Sequence, residues 1–380
     1  MNNAIPTAAS PLRIVGVDAW VATVELDVPW QIGTGPLSEM SATIARVELD
    51  NGVVGWGECL TREAPGATQA IVRELLAKTV MGMDAWSVEA IWEKMYRTMK
   101  IRGHSRGFFM EALAGVDIAI WDALGRSVGQ PVWRLLHGDR TELPCYASSI
   151  MISDDPTATA TEAERLVGAG WNAIKIKIGR GVDADLKTVA AARAAVGPDV
   201  QIMLDANGVY RADEAVELSR GMVAHGVRWL EEPVPVHDLS GYRKVAGATP
   251  GVPLAGGEAE YAPVGFLPFI ENRFWDVVQP NVARAGGITS TRRIALLADA
   301  HNINYAPHTG ASGALCMAAS LHLAASMPNF MTYEHMYVDQ PLQHLVDGLP
   351  EPVDSVISVP QGPGLGVEVD EARLRKQCLI

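Results

Sequence analysis

Positive charge is scarce in this 380-residue chain: 31 Lys+Arg stand against 44 Asp+Glu, for a formal net charge of −13. That balance repels nucleic acid and anionic membrane and excludes both as partners, so any anionic ligand must meet a local positive site. The four cysteines, Cys59, Cys145, Cys316 and Cys378, lie far apart and form no C-x-x-C pair. This excludes a disulfide framework and suits buried thiols in a reducing compartment. The stretch MNNAIPTAASPLRIVGVDAW lacks a basic segment followed by an apolar run, so no export leader is expected. No apolar run reaches membrane-spanning length, since GALCMAASLHLAAS is interrupted by His322 and is soon followed by Pro328. The expectation is a cytoplasmic protein, and 48% apolar residues suffice for a sizeable core in one large domain or two.

Residues 12–59 hold two alternating runs, RIVGVDAWVATVELD and ATIARVELDNGVVGWGEC, separated by PWQIGTGPLSEMS. With a turn signal at Asp50-Asn51-Gly52 they predict an antiparallel meander. Residues 66–137 switch to helical periodicity, so the first third reads as a small α+β domain. From about 142, eight short apolar strands alternate with amphipathic segments: LPCYASSI, AIKIKIG, VQIMLDAN, VRWLEEP, VPLAGGE, WDVVQPN, INYAPHTG and NFMTYEH. Polar residues end these strands at regular spacing: Lys177, Asp205, Glu231, Glu258, Asn281, His308 and Glu334 are separated by 28, 26, 27, 23, 27 and 26 residues. Repeated β-α units with a polar residue at each strand end describe a TIM-type barrel, whose active sites occupy that face. A doubly wound open sheet is the alternative, but no G-x-G-x-x-G follows the first strand. The tail after residue 340 carries a strand-like SVISVP and is expected to return to the first domain.

Asp205, Glu231 and Glu258 end three successive strands, so a barrel gathers three carboxylates around one point. Such a cluster cannot remain ionised without a cation. Oxygen ligands without cysteine or paired histidine favour Mg²⁺, with Mn²⁺ as a substitute. The competing reading, in which each carboxylate caps a helix or pairs with an arginine, explains one such residue better than three at matched positions. Glu232, beside Glu231, is expected to face the other way. In AIKIKIG the helices outside a barrel claim the isoleucines, which turns Lys175 and Lys177 inward. A lysine that is partly desolvated near a cation has its charged form disfavoured and becomes a usable general base. His308, across the barrel, is a candidate acid or base. Glu334 is placed to donate or accept a hydrogen bond at a bound oxyanion. His335 is ambiguous, whereas His104, His137, His225, His237, His301, His322 and His344 read as structural or surface residues. A base, an acid and a divalent cation between them suit proton abstraction beside a carboxylate.

The motifs K-I-K at 175–177, L-D-A-N at 204–207, E-E-P at 231–233, G-G-E at 256–258, Q-P-N-V-A-R-A-G-G-I-T at 279–289 and A-P-H at 306–308 resemble those of the enolase superfamily. The likeness is to its mandelate racemase and muconate lactonising group. It covers nearly the whole chain and implies an α/β fold: a modified TIM barrel, (β/α)7β, at 141–335. An α+β capping domain at 1–140 would be completed by a returning segment at 336–380. It implies metal ligation by Asp205, Glu231 and Glu258, a base at Lys177 assisted by Lys175, and an acid-base histidine at His308. Asn207 would contact substrate or support the ligands, loops near 30–40 and 58–66 would choose the substrate, and the assembly would be a homo-oligomer.

One position departs from the family pattern. Asn281 stands where racemase-like members carry an aspartate that orients the histidine and where lactonising members carry a catalytic lysine. An amide can hold an imidazole but supplies no negative charge to it. His308 is thereby a weaker candidate for a general base and is kept as the acid for a leaving hydroxyl. Family members that pair a K-x-K strand with a seventh-strand histidine resemble acid-sugar dehydratases, so the resemblance implies dehydration of a small carboxylate substrate, a sugar acid, to a 2-keto-3-deoxy acid. A racemase, an epimerase or a lactone cycloisomerase using the same enediolate chemistry is the alternative. A Schiff-base aldolase on Lys177 and a non-catalytic binder are the readings outside this chemistry.

Overall fold

Alternation along the first sixty residues produces three antiparallel strands, β1 (Ile14–Ile32), β2 (Gly35–Leu49) and β3 (Val54–Leu60). The computed structural model describes residues 10–248 and 251–379, and side chains as far as residue 375. Residues 1–9, on which the leader expectation partly rests, and the Cys378 side chain lie outside the described residues; Cys59, Cys145 and Cys316 are buried free thiols. The turn at 50–52 forms as expected, with Gly52 at φ 81° and Val53 N–H donating to Asn51 Oδ1 at 3.1 Å.

The segment predicted as a loop, 29–41, is instead a paired ribbon. Trp30 lies opposite Leu37 and Ile32 opposite Gly35, beyond a register shift after Glu25. Pro29, Gly33, Gly35 and Pro36 interrupt the alternation that would have marked it. Cross-strand pairing and packing of Trp30, Ile32 and Leu37 over the barrel mouth hold it instead.

The helix Phe108–Ser127 is buried from Phe109 to Gly125. Gly55 and Gly57 of β3 let it approach closely: a Cβ on Gly57 would lie 2.0 Å from Gly115 O. Polar side chains along this region tie the first domain to the second. Asp117 accepts from Thr289 N–H at 3.0 Å and from its hydroxyl at 2.6 Å; Trp92 Nε1–H donates to Gly286 O at 2.7 Å. Glu58 accepts from Gly313 N–H at 2.6 Å and Cys316 N–H at 3.1 Å, at the start of the helix Ala314–Ala324. Burial pushes Glu58 and Asp117 up to about 7.

The eight expected barrel strands are present: β4 (Glu142–Ile150), β5 (Ala173–Lys177), β6 (Gln201–Asp205), β7 (Trp229–Glu231), β8 (Leu254–Gly256), β9 (Val277–Val278), β10 (Asn304–Tyr305) and β11 (Tyr333–Met336). They pair in parallel in the order β10-β9-β8-β7-β6-β5-β4-β11. Tyr305 closes the ring: its N–H donates to Asn329 O at 2.9 Å, and Met331 N–H donates to Tyr305 O at 2.9 Å. Ile174 and Ile176 join the packing between sheet and helices, whereas Met203, Trp229, Ala255 and Val277 fill a separate layer inside the barrel. In the tail, β12 (Val346–Asp347) pairs with β14 (Glu368–Val369). Within SVISVP, β13 (Val356–Ser358) pairs antiparallel with β4 of the barrel, and β15 (Cys378–Leu379) joins β1. The tail thus holds both sheets, because β4 leaves its lower half unpaired by β5.

His322, expected to be structural, is buried in the helix Ala314–Ala324 and accepts the Trp133 N–H on Nδ1 at 3.2 Å. Burial pushes its pKa from 6.5 down to about 4. The folded state holds the neutral ring, so this stabilising contribution is complete above pH 6.5 and is lost as pH falls through about 4. Between pH 7.5 and 5 the wild type should lose about 2 kcal/mol more than His322→Gln in denaturant unfolding. Parallel pH dependences would refute this.

Candidate active site

In-register parallel pairing creates the central feature. Lys177 on β5 lies beside Asp205 on β6, which lies beside Glu231 on β7. Glu258 follows β8 by two residues, and one oxygen from each of Asp205, Glu231 and Glu258 lies within 4.8 Å of the others. All three carboxylates are buried. Burial and the charge of Asp205 push Glu231 up to about 7. Burial also opposes the charge on Glu258, but His308, Arg62 and Lys177 outweigh it and hold Glu258 well below its usual range. Glu258 Oε2 accepts no aligned hydrogen bond. Three converging hard oxygen donors, one of them driven toward protonation, fit a divalent cation.

Glu232 does not line the cavity that holds Lys177 and His308. It is buried at φ 39°, which breaks strand alternation, and burial with the charge of Glu258 pushes it well up.

Both lysines turn inward, as expected, but they differ. Lys175 is fully buried, with Nζ 2.8 Å from Glu231 Oε1, 2.6 Å from Glu334 Oε1 and 3.6 Å from Asp205 Oδ2. Burial works against its charge, yet Glu231, Glu334, Tyr146 and Asp205 outweigh it and raise its pKa well above the ordinary value. Its three carboxylate neighbours hold Lys175 as an ammonium. Lys177 reaches the cavity and contacts Asp205 Oδ2 at 2.5 Å.

Glu334 has its oxygens occupied: Ser148 Oγ–H donates to Oε1 at 2.6 Å, and the N–H groups of Thr309 and Gly310 donate to Oε2 at 2.7 and 3.2 Å. Burial is again outweighed by Lys175 and His308, and its pKa falls below the usual range. Glu334 is therefore an acceptor that orients Lys175, and it has no proton to donate to an oxyanion. Asn207, at φ 47°, donates from its backbone N–H to Asp205 Oδ1 at 2.9 Å and faces the cavity.

His308 Nε2 lies 2.8 Å from Glu258 Oε2. Asn281 determines what the other ring nitrogen meets. Its Oδ1 accepts Ala283 N–H at 2.9 Å, which assigns the amide orientation and turns Nδ2 toward His308 Nδ1 at 3.1 Å, His308 O at 3.2 Å and Ser312 Oγ at 3.1 Å. An NH₂ group cannot accept a hydrogen bond, so Nδ1 is the bare nitrogen and the ring proton sits on Nε2. His335, by contrast, faces out of the barrel and stacks on Trp171 at 5.8 Å.

Lys177, Asn207, Glu258, His308 and Glu334 line one cavity, together with Arg62 from the 58–66 loop and with Ser149, Met151, Ala311 and Met336, which the sequence reading did not name. Trp30, Ile32 and Leu37 of the ribbon complete its apolar lining. Gln279 was also missed; its Nε2–H donates to Glu231 Oε2 at 2.8 Å. Its place before Pro280-Asn281 in the strand-end motif was the available signal.

The sequence profile described as Enolase C-terminal domain-like matches residues 158–373, and that of the Mandelate racemase / muconate lactonizing enzyme N-terminal domain matches 16–137. The chain is 32% identical over 377 residues to D-galactarolactone cycloisomerase of Agrobacterium fabrum, covering 96% of this chain and 98% of that one. It is 31% identical over 351 residues to D-galactonate dehydratase of Klebsiella pneumoniae, covering 87% and 89%. The crystal structure of a racemase from Streptomyces coelicolor with bound magnesium superposes with a TM-score of 0.89 at 28% identity, covering 96% of this chain and 100% of that one.

MgCl₂ should raise the Tm saturably, and Glu258→Gln should weaken that response at least about tenfold in midpoint, as loss of one charged ligand requires. Calorimetric Mg²⁺ titration checks this; unchanged affinity in the variant would contradict it.

Proposed function

The chain belongs to the mandelate racemase / muconate lactonizing enzyme group of the enolase superfamily, and from that premise we propose that it removes the α-proton of a sugar acid and expels the β-oxygen. The favoured outcome is dehydration to a 2-keto-3-deoxy acid. The observation that carries this reading is the asymmetry of the two proton-handling groups: Lys177 faces the cavity from β5, while Asn281 holds His308 with its proton on Nε2. A ring presented as an N–H donor is prepared to give a proton to a departing oxygen, and it is poorly prepared to take one from carbon.

Asp205, Glu231 and Glu258 would hold Mg²⁺, with Mn²⁺ as a substitute. When bound, the cation supplies Lewis-acid stabilisation of charge developing on the substrate carboxylate. Lys177 takes the α-proton, and the electron pair moves toward the carboxylate as an enediolate. Lys175, kept cationic by its three carboxylates, adds a fixed positive charge beneath that group. His308, a neutral ring with its proton on Nε2, donates that proton to the β-hydroxyl as its C–O bond breaks and water leaves; the imidazolate that results is reprotonated through solvent as Lys177 gives up the α-proton, and the enol released becomes the 2-keto acid. Asn207 supports Asp205 at the cavity wall.

A second reading uses the same proton transfers. If the β-oxygen is the ring oxygen of a lactone, its departure opens the ring without loss of water, and the likeness to D-galactarolactone cycloisomerase favours this. The reading extends to residues 1–140 and 336–380 capping a barrel at 141–335, in a homo-oligomer in the cytoplasm. Buried free thiols support the compartment, and family likeness supports the assembly. No helix among the described residues is long and apolar enough to cross a membrane.

Incubating aldonic, aldaric and uronic acids and their lactones with Mg²⁺ in D₂O should yield 2-keto acid. Lys177→Met should lose about a thousandfold in rate while Mg²⁺ binding persists. Deuterium in recovered substrate without keto-acid formation would overturn the eliminative reading. Nitrogen-15 NMR of histidine-labelled protein should place the His308 proton on Nε2 in the wild type and on Nδ1 in Asn281→Asp. The same tautomer in both would remove the directional argument.

A further inference from the structure

Arg62 balances charge on Glu258 and on Glu111, yet its guanidinium has no hydrogen-bonded partner among the described residues. It sits just after β3, in the segment between the first domain's sheet and the helix Pro65–Ala70, and its side chain lines the cavity that holds Lys177 and His308. Its one charged neighbour within ion-pair range among the described residues is Glu258, and the separation of 3.7 Å is too long for a hydrogen bond. Its Nε is buried without an acceptor, and its guanidinium donates no hydrogen bond to any described residue. Trp30, Ile32, Leu37 and Met151 supply apolar surface to the same cavity and offer it no acceptor.

Every other cation at this centre is committed. Lys175 is held by Glu231 and Glu334, and Lys177 by Asp205. A planar fork of donors left open toward a cavity matches a planar pair of acceptors, and a carboxylate takes such a fork in bidentate fashion. A lone hydroxyl would leave most of those donors idle. With the carboxylate beside the α-proton taken up at the Asp205, Glu231 and Glu258 cluster, the open donors of Arg62, at the edge of that cluster, are left for a second anion on the same substrate.

We propose that Arg62 binds the distal carboxylate of an aldaric-type substrate, making this a dicarboxylate-selective site. The inference rests on the reading of the cavity as a sugar-acid site and narrows its substrate class. Arg62 is a substrate-binding residue here, with no part in proton transfer.

The test is calorimetric binding to the Mg²⁺-loaded, full-length Lys177→Met protein, with galactarate against galactonate and glucarate against gluconate. Each pair shares its hydroxyl configuration and differs at C6, a carboxylate in one and a hydroxymethyl group in the other. The dicarboxylate should bind at least about tenfold tighter in at least one pair. Adding Arg62→Gln should cost it about a hundredfold, the scale of hydrogen bonds to charged groups, and leave the monocarboxylate nearly unchanged. Arg62→Lys should recover part of the difference. Equal binding within both pairs would overturn the proposal. So would Arg62→Gln weakening both members of a pair equally or weakening Mg²⁺ itself, since Arg62 would then serve only to balance Glu258. Because the readout is binding, a protein that selects the dicarboxylate but yields no keto acid with active Lys177 would refute the reaction and leave this assignment standing.

Discussion

Three carboxylates held in one buried patch repel each other, and the rest of the centre is organised around that repulsion. In-register pairing of β5, β6 and β7 makes the crowding unavoidable, because the residues that end adjacent parallel strands share a row. Lys175 answers it from inside the barrel, Gln279 and Trp229 donate to Glu231 from the sides, and His308 and Arg62 approach Glu258 from the cavity. Glu231 remains pushed up and Glu258 pulled down, an imbalance that a divalent cation resolves.

The first domain does more than cover this patch. Its long buried helix, Phe108–Ser127, reaches the barrel through Asp117 and Thr289, while Glu58 caps the helix that begins soon after His308. The β1–β2 ribbon brings Trp30, Ile32 and Leu37 to the cavity, and the segment after β3 brings Arg62. Polar contacts lie at the base and apolar side chains at the mouth: the barrel carries Lys177, Glu258 and His308 into the cavity, and the first domain supplies Trp30, Ile32, Leu37 and Arg62 to its wall.

Asn281 shows how one side chain alters a centre without entering it. Its carbonyl is occupied by Ala283 N–H, which leaves only its NH₂ to face the imidazole. An aspartate there would draw the ring proton to Nδ1 and leave Nε2 able to accept. With the amide, the ring is set as a donor, its proton on Nε2.

By itself the sequence determined the repeating β-α units, the strand-end spacing from Lys177 to Glu334 and the hard-oxygen character of the Asp205, Glu231 and Glu258 cluster. Those follow from short-range periodicity and side-chain chemistry, and each barrel unit repeats the same local pattern. Tertiary structure alone decided the rest. Lys175 is a fixed cation because carboxylates from β6, β7 and β11 surround it, and Glu334 is an acceptor because Ser148, Thr309 and Gly310 meet it. The ribbon at 29–41 pairs despite its prolines and glycines, and Arg62 reaches a cavity nearly two hundred residues away in sequence from the strand bearing Glu258. Charge state, proton position and selectivity depend on which groups become neighbours across the fold, and local periodicity carries no record of that.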